Sequence, residues 1–519
     1  MITTLIKNCT LIDGSGKSRS KSDVAICGNK IVAIARSLST TGVKNIINAQ
    51  EKVLSPGFID CHTHSDMSIL AAPEASGKLS QGVTTDIIGN CGLSVFPVSN
   101  LNRDHLNSLY KNYDININWD DLYGYSKELI KRQPAINIAT LCGHNTLRAS
   151  NLGYKNIIPD KHQLTSMRQD LQQALKSGAK GLSTGLLYTP GKFAKTAELT
   201  HLLGTLPLFD TIYATHIRSE GDQLIESIEE AIHLAKEAKV RKLHISHLKA
   251  SQQRNWSKLD DVFQIIQKAQ TDGLNITADR YPYTESMTQL SIILPPPYDS
   301  MPDSQIEIEL IDQSKFTLLT NDLSNYKRER WENTRLANTG YKPFIQFIGL
   351  NFVEISDKLN KPPHLICAEL IQANSTGTMG AFKGMCPENL KKVLAADYVC
   401  CGSDESSRPL DYCIGRSHPR GFGSMPRFIR MHQELGIHLE ESIRRITSQP
   451  ADIFGLTGRG MVATGYCADL VLFDPERLID TADFSNPHSL SLGIDKVWVN
   501  GQLSFDQQLI QHKRSGQLI

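Results

Sequence analysis

The strongest constraint on the fold is a rhythm in residues 57–402: short apolar, β-rich runs recur, with helical patterns between several of them. The runs fall at 57–61, 83–88, 136–141, 181–183, 211–214, 242–246, 275–278 and 398–402. Runs of this kind suit strands buried on both faces. Segments 163–177, 222–239 and 259–271 repeat apolar residues at helical spacing, and in the second of them Leu224, Ile228, Ala231, Ile232 and Ala235 share one face. Alternation of strand and helix implies parallel pairing. Eight such units over this length fit a TIM-like (β/α)8 barrel better than an open doubly wound sheet. No glycine-rich dinucleotide fingerprint follows the first run, which points the same way.

The chain ends have a different texture. Strand-like runs at 2–8, 23–26, 30–35 and 44–48 are separated by glycine and polar turns, and runs at 468–474 and 496–501 repeat the pattern. The expectation is a small β-sandwich formed by residues 1–56 with 457–519, beside a catalytic barrel spanning 57–456. Residues 292–397 are too long for one strand-to-helix connection and carry Pro295-Pro296-Pro297, so they are expected to form an inserted lid.

Charge narrows the partner. With 55 Lys+Arg against 54 Asp+Glu the net charge is +1, which offers no electrostatic footprint for nucleic acid or an anionic membrane. A small-molecule substrate is expected. The residues after Met1 lack a signal-peptide pattern and no run reaches membrane-spanning length, so a cytoplasmic location is expected. Eleven scattered cysteines, with Cys400 and Cys401 adjacent, read as reduced thiols. Oligomeric state is left open.

The chemistry follows from position. His62 and His64 close the first run, Cys91 follows the second, His216 the fifth, His247 the sixth and Asp404 the eighth. Those are the C-terminal strand ends, where barrels of this type place their active sites. Residues two apart on a strand face one side, so His62 and His64 can address the same ion. Imidazole, thiolate and carboxylate are all zinc donors, and the set leaves room for a water. Singly, each residue has a blander reading: a core histidine, a buried structural cysteine, an aspartate capping the next helix. Their shared position singles them out.

Gly57-Phe-Ile-Asp-Cys-His-Thr-His resembles the opening motif of the amidohydrolase superfamily. Gly89-Asn-Cys-Gly-Leu-Ser, Gly181-Leu-Ser-Thr-Gly-Leu-Leu-Tyr, Thr215-His-Ile-Arg-Ser-Glu, Ser246-His-Leu-Lys, Tyr281-Pro-Tyr and His418-Pro-Arg are similar to its N-acyl-D-amino-acid deacylase (D-aminoacylase) branch. The Asn-Cys-Gly element is the most specific of these, because related enzymes commonly bridge metals with a carboxylated lysine or a glutamate. The resemblance implies a tight zinc on Cys91, His216 and His247 and a weaker second position on His62, His64 and Asp404, with Cys91 bridging the two. It implies Asp404 as proton carrier, and Lys249 and Tyr281, with Tyr188 and Arg420 nearby, as holders of a substrate carboxylate. The implied reaction is hydrolysis of an N-acyl-D-amino acid to a carboxylate and a free D-amino acid.

Two rivals stand beside that reading. One is a superfamily hydrolase acting on a cyclic amide, as dihydroorotases and hydantoinases do, or on a dipeptide; Cys91 in the bridging position argues against it. The other is a catalytically inactive scaffold, against which the complete set of six ligand-type residues argues. The sequence also departs from the family. The family usually has glycine immediately after the aspartate or one residue on, whereas here Ser403 precedes Asp404 and Glu405 follows it; Thr284-Glu-Ser-Met-Thr stands where relatives tend to carry Thr-Ala-Gly-Ser-Thr, and a tryptophan expected near residues 295–297 is missing. These lie around the expected pocket and bear on side-chain specificity. His144 is read as loop structure or pocket wall, and Glu220, Glu226 and His244 as solvated or helix-face residues without a role.

Overall fold

A computed structural model describes residues 2–519 as a mixed α/β fold. Its central strands run in chain order: Phe58–Asp60, Val83–Ile88, Asn137–Thr140 (resumed at Cys142–Gly143), Gly181–Gly185, Ile212–His216, Lys242–Ile245, Asn275–Asp279 and Val399–Cys400. Each pairs in parallel with the next, within two sheets that meet at the third strand, where Leu141 interrupts the assigned ladder. Beyond the last ladder rungs, Thr63 and Glu405 form an isolated parallel bridge between the segments that follow the first and eighth strands. Each expected run overlaps a strand.

Helices fill the crossovers, as parallel pairing requires. In helix Leu224–Glu237 the stripe Leu224, Ile228, Ala231, Ile232 and Ala235 is buried, as its spacing predicts. Helix Lys161–Lys176 starts two residues before the apolar pattern does. A capping box sets its start: the Asp160 carboxylate accepts from Gln163 N while the Gln163 side chain caps Asp160 N. The eighth strand is shorter than the run 398–402. Ser403 N donates to Asp60 Oδ1 at 2.8 Å, so a side chain takes the amide and the backbone leaves the ladder.

Strands from both chain ends join one nine-stranded sheet. Its seam is Val53–Pro56, parallel to Thr4–Leu11 on one side and antiparallel to Leu470–Phe473 on the other. That seam strand lies outside the strand-like runs expected at the chain ends. Proline is tolerated here because it is the last residue of the strand.

Between the seventh and eighth strands an insertion builds its own antiparallel sheet from Glu285–Gln289, Met379–Lys383 and Thr334–Asn338. It also has a separate hydrophobic cluster that includes Trp331, Phe352 and Leu370. Its boundaries differ from 292–397. The sheet begins at Glu285, and helix Pro387–Ala395 sends Leu390, Val393 and Leu394 into the main core. Among the described residues no helix is long and apolar enough to cross a membrane, and all eleven cysteines are free.

Candidate active site

Cys91, His247 and Asp404 each stand just past a strand in left-handed backbone, with φ of 52°, 36° and 52°. Non-glycine residues held there cost about 1–3 kcal/mol each and persist where surrounding structure enforces them. Around Cys91 the enforcement is visible. Gly89 and Gly92 flank it at positive φ, and a Cβ on Gly185 would lie 2.0 Å from the Cys91 carbonyl oxygen. The loop therefore rests on the fourth strand at backbone distance. Gly185→Ala is expected to displace Cys91, costing about 1–3 kcal/mol of stability by overpacking. Thermal unfolding and metal content should both fall, and an unchanged pair of values would refute the packing argument.

The donor atoms converge. Cys91 Sγ lies 3.3 Å from His62 Nε2 and 3.4 Å from His247 Nε2. Asp404 Oδ1 lies 3.1 Å from His64 Nε2 and 3.5 Å from His62 Nε2. One candidate metal group is His62, Cys91, His247 and Asp404, with ligand atoms all within 4.8 Å of one another; a second is His216, Glu220 and His247. His247 belongs to both, and its ring centroid is 4.4 Å from that of His216. Burial works against ionising the Cys91 thiol, but His62 and His247 outweigh it and hold the thiol well below its ordinary range. Burial likewise opposes the Asp404 carboxylate, and the guanidinium of Arg420, 3.1 Å away, with His64 holds that carboxyl well below the usual range.

Two carboxylates behind these ligands escaped the sequence reading. Asp279 Oδ2 lies 3.0 Å from His62 Nδ1 and 2.9 Å from His244 Nε2, all fully buried. A carboxylate on Nδ1 keeps the proton there and leaves the Nε2 lone pair of His62, on the side of Cys91, free to ligate a metal. Glu220 does the same for His247, accepting from Nδ1 at 2.8 Å while also pairing with Lys249. Glu220 and His244 are thus inside the site's support, not on a solvated face, whereas Glu226 is exposed as expected. Asp279 ends the seventh strand, so the positional rule that found the ligands could have found it. Glu220 lies in a loop, where no periodicity marks it. His144 is structural: its Nε2 meets Glu198 at 2.9 Å, and Arg148 pairs with the same carboxylate.

The remaining expected residues surround one phenol. Tyr281 is fully buried with an unpartnered hydroxyl. The guanidinium carbons of Arg280 and Arg420 lie 4.0 and 4.5 Å from its ring centroid, and Lys249 Nζ lies 5.8 Å away. Burial would raise the Tyr281 phenol, but Lys249, Arg280 and Arg420 bring it below its ordinary value. Tyr188 sits edge-on to His216, with ring centroids 4.9 Å apart. A cleft of about 1880 Å³ opens onto Cys91, His216, His247, Lys249, Tyr281 and Asp404.

The sequence pattern of the amidohydrolase family matches residues 45–276 and 373–505. This chain belongs to the amidohydrolase family. It is 30% identical over 518 residues to D-aminoacylase from Alcaligenes xylosoxydans xylosoxydans, covering 99% of this chain and 97% of the relative. It is also 30% identical to N-acyl-D-glutamate deacylase from the same organism, covering 98% of this chain and 95% of that one. The crystal structure of N-acyl-D-glutamate deacylase from Bordetella bronchiseptica, complexed with zinc and a phosphonate mimic of the tetrahedral intermediate, superposes with a TM-score of 0.84 at 27% identity. It covers 100% of this chain and 99% of the other. The similarity of this amidohydrolase to the D-aminoacylase branch thus runs the length of the chain.

Proposed function

We propose that this amidohydrolase removes the acyl group from N-acyl-D-amino acids, using zinc held at the strand ends of a closed (β/α)8 barrel. The parallel pairing from first to eighth strand, with the Thr63–Glu405 bridge between its ends, supports closure. Residues 57–456 are read as that barrel with its insertion, and residues 1–56 with 457–519 as a β-sandwich. Eleven unpaired cysteines accord with a cytoplasmic setting.

The observation that carries the reading is His216. Its ring is 3% exposed and neither nitrogen has a hydrogen-bond partner, in a cluster that otherwise supplies a thiolate, imidazoles and a carboxylate. A buried imidazole left without partners is costly, and a metal ion satisfies it. Cys91, His216 and His247 would hold the tight zinc, and His62, His64 and Asp404 a weaker second position. When bound, zinc supplies Lewis acidity, polarising the amide carbonyl and lowering the pKa of a coordinated water to about 7.

The residues then do the rest. Asp404, kept ionised by Arg420 and His64, accepts the proton of the attacking water and passes it to the leaving nitrogen. The new C–O bond forms first, and the C–N bond then breaks as the nitrogen takes the proton from Asp404, releasing a carboxylate and an amine. Lys249 and the free hydroxyl of Tyr281, with Arg420 and Tyr188 beside them, hold the α-carboxylate. With the carboxylate fixed at one point and the scissile carbonyl at another, the Cα substituent has one permitted direction. That geometry sends the substituents of the two enantiomers different ways, and D-selectivity follows if the cleft admits only one of them.

Lys249→Met tests the clamp. The expected loss in kcat/KM is about 10²-fold on an N-acetyl-D-amino acid, the ~3 kcal/mol scale of a hydrogen bond between charged groups. An acetylated amine without the carboxylate should lose far less. Because Lys249 also touches Glu220 and His247, equal losses on both substrates would mean that it supports the metal ligands instead. Amine release from acetyl-D-amino acids beside ring opening of a hydantoin separates the cyclic-amide rival.

A further inference from the structure

We propose that the cleft contains an apolar subsite for the acyl group, on the side served by the second and fourth strands, that accepts a straight chain of several carbons. This rests on the deacylase reading above and deepens it. Pockets for small ligands commonly occupy about 300–1,000 Å³. At about 1880 Å³, the cleft far exceeds what an N-acetyl amino acid fills.

Direction comes from the strand order. Lys249 and Tyr281 follow the sixth and seventh strands, so the carboxylate is fixed there. With the scissile carbonyl at the Cys91, His216 and His247 cluster, the acyl group extends away from them, toward Leu93 and Leu187. These two leucines follow the second and fourth strands, line the cleft and are half-buried. The wall continues with Leu109, at the edge of the main core, and faces Ile293, Tyr298 and Met301, at the edge of the insertion's core. Two separate hydrophobic cores therefore each present an apolar lip to one cleft.

The lips are also held together by polar contacts, in which His105 and Asp299 line the cleft beside the apolar side chains. His105 Nδ1 meets Ser304 Oγ at 3.3 Å, and Lys192 Nζ meets Asp299 Oδ2 at 3.3 Å. The nearby carboxylates are engaged: Asp299 by Lys192, and Asp303 by Ser375 Oγ at 2.6 Å. Half-buried apolar side chains in a cleft continuous with a hydrolytic centre are the surface an alkyl chain would cover. The products are then a fatty carboxylate and the free D-amino acid.

The test uses the zinc-loaded protein and N-acetyl, N-butanoyl and N-octanoyl derivatives of one D-amino acid, below micellar concentrations. Each methylene buried should raise kcat/KM by about two- to fourfold, so burial of the six methylenes that octanoyl adds to acetyl should raise it by about 60-fold or more. Leu109→Asp and Met301→Asp, both at half-buried positions, should abolish that rise while leaving acetyl turnover within about twofold. Competitive inhibition by octanoate over acetate should weaken in parallel. A flat series, or a rise untouched in both variants, would overturn the subsite. If acetyl-D-substrates are cleaved without any chain-length effect, this inference falls alone. If no N-acyl-D-amino acid is cleaved, the deacylase reading falls with it.

Discussion

Cys91→Ala is expected to lose most of its zinc, and its activity with it, while His62→Ala keeps most of the metal. A thiolate with two imidazoles makes a soft, high-affinity zinc site, and Cys91 Sγ lies 3.4 Å from His247 Nε2, whose ring centroid is 4.4 Å from that of His216. Removing a direct ligand should exceed the ~10–100-fold affinity loss typical of an outer partner. Metal analysis after equilibration with a chelator reads the result. Full retention of zinc in Cys91→Ala sinks the ligand assignment. Equal loss in His62→Ala would move the tight site onto His62, Cys91, His247 and Asp404, the group whose ligand atoms already lie within 4.8 Å of one another.

Asp404→Asn should keep the fold and the tight zinc and lower kcat by about 10² or more, the scale of a lost general acid and base. Asparagine preserves the shape and can still meet Arg420, but it cannot carry a proton. If turnover stays near normal, the proton carrier lies elsewhere. Glu405 is a poor substitute: its Oε1 accepts from Ser406 N and its Oε2 from His418 N, both at 3.0 Å, so the side chain is spent on holding its loop. That gives the glutamate at this position a structural role. It closes the loop that presents Asp404.

The central strands and the ligand-type residues were legible because they obey simple periodicities. Apolar runs between helical stripes mark parallel strands, and the chemistry falls at strand ends. What escaped depends on contacts between distant segments. Val53–Pro56 is a strand because Thr10 and Leu11 pair with it on one side and Leu470–Phe473, more than 400 residues later, on the other. The eighth strand ends early because Asp60, on the first strand, takes the amide of Ser403. Glu220, in a loop, became recognisable only once His247 was placed beside it, whereas Asp279 stands at a strand end and its pairing with His62 shows its role. Their role is to fix a tautomer, and tautomers leave no signature in a pattern of hydrophobic residues. The strained backbone at Cys91, His247 and Asp404 was equally silent, apart from the glycines around Cys91.

The most direct test of the deacylase reading is the turnover of racemic N-acetyl amino acids by the zinc-loaded protein, with the released amino acids resolved by enantiomer. Fixing the carboxylate at Lys249 and Tyr281 and the carbonyl at the metal cluster predicts release of the D-amino acid, with the N-acetyl-L-amino acid left intact. Release of both enantiomers at similar rates, or of the L-form alone, would contradict that geometry and the function drawn from it.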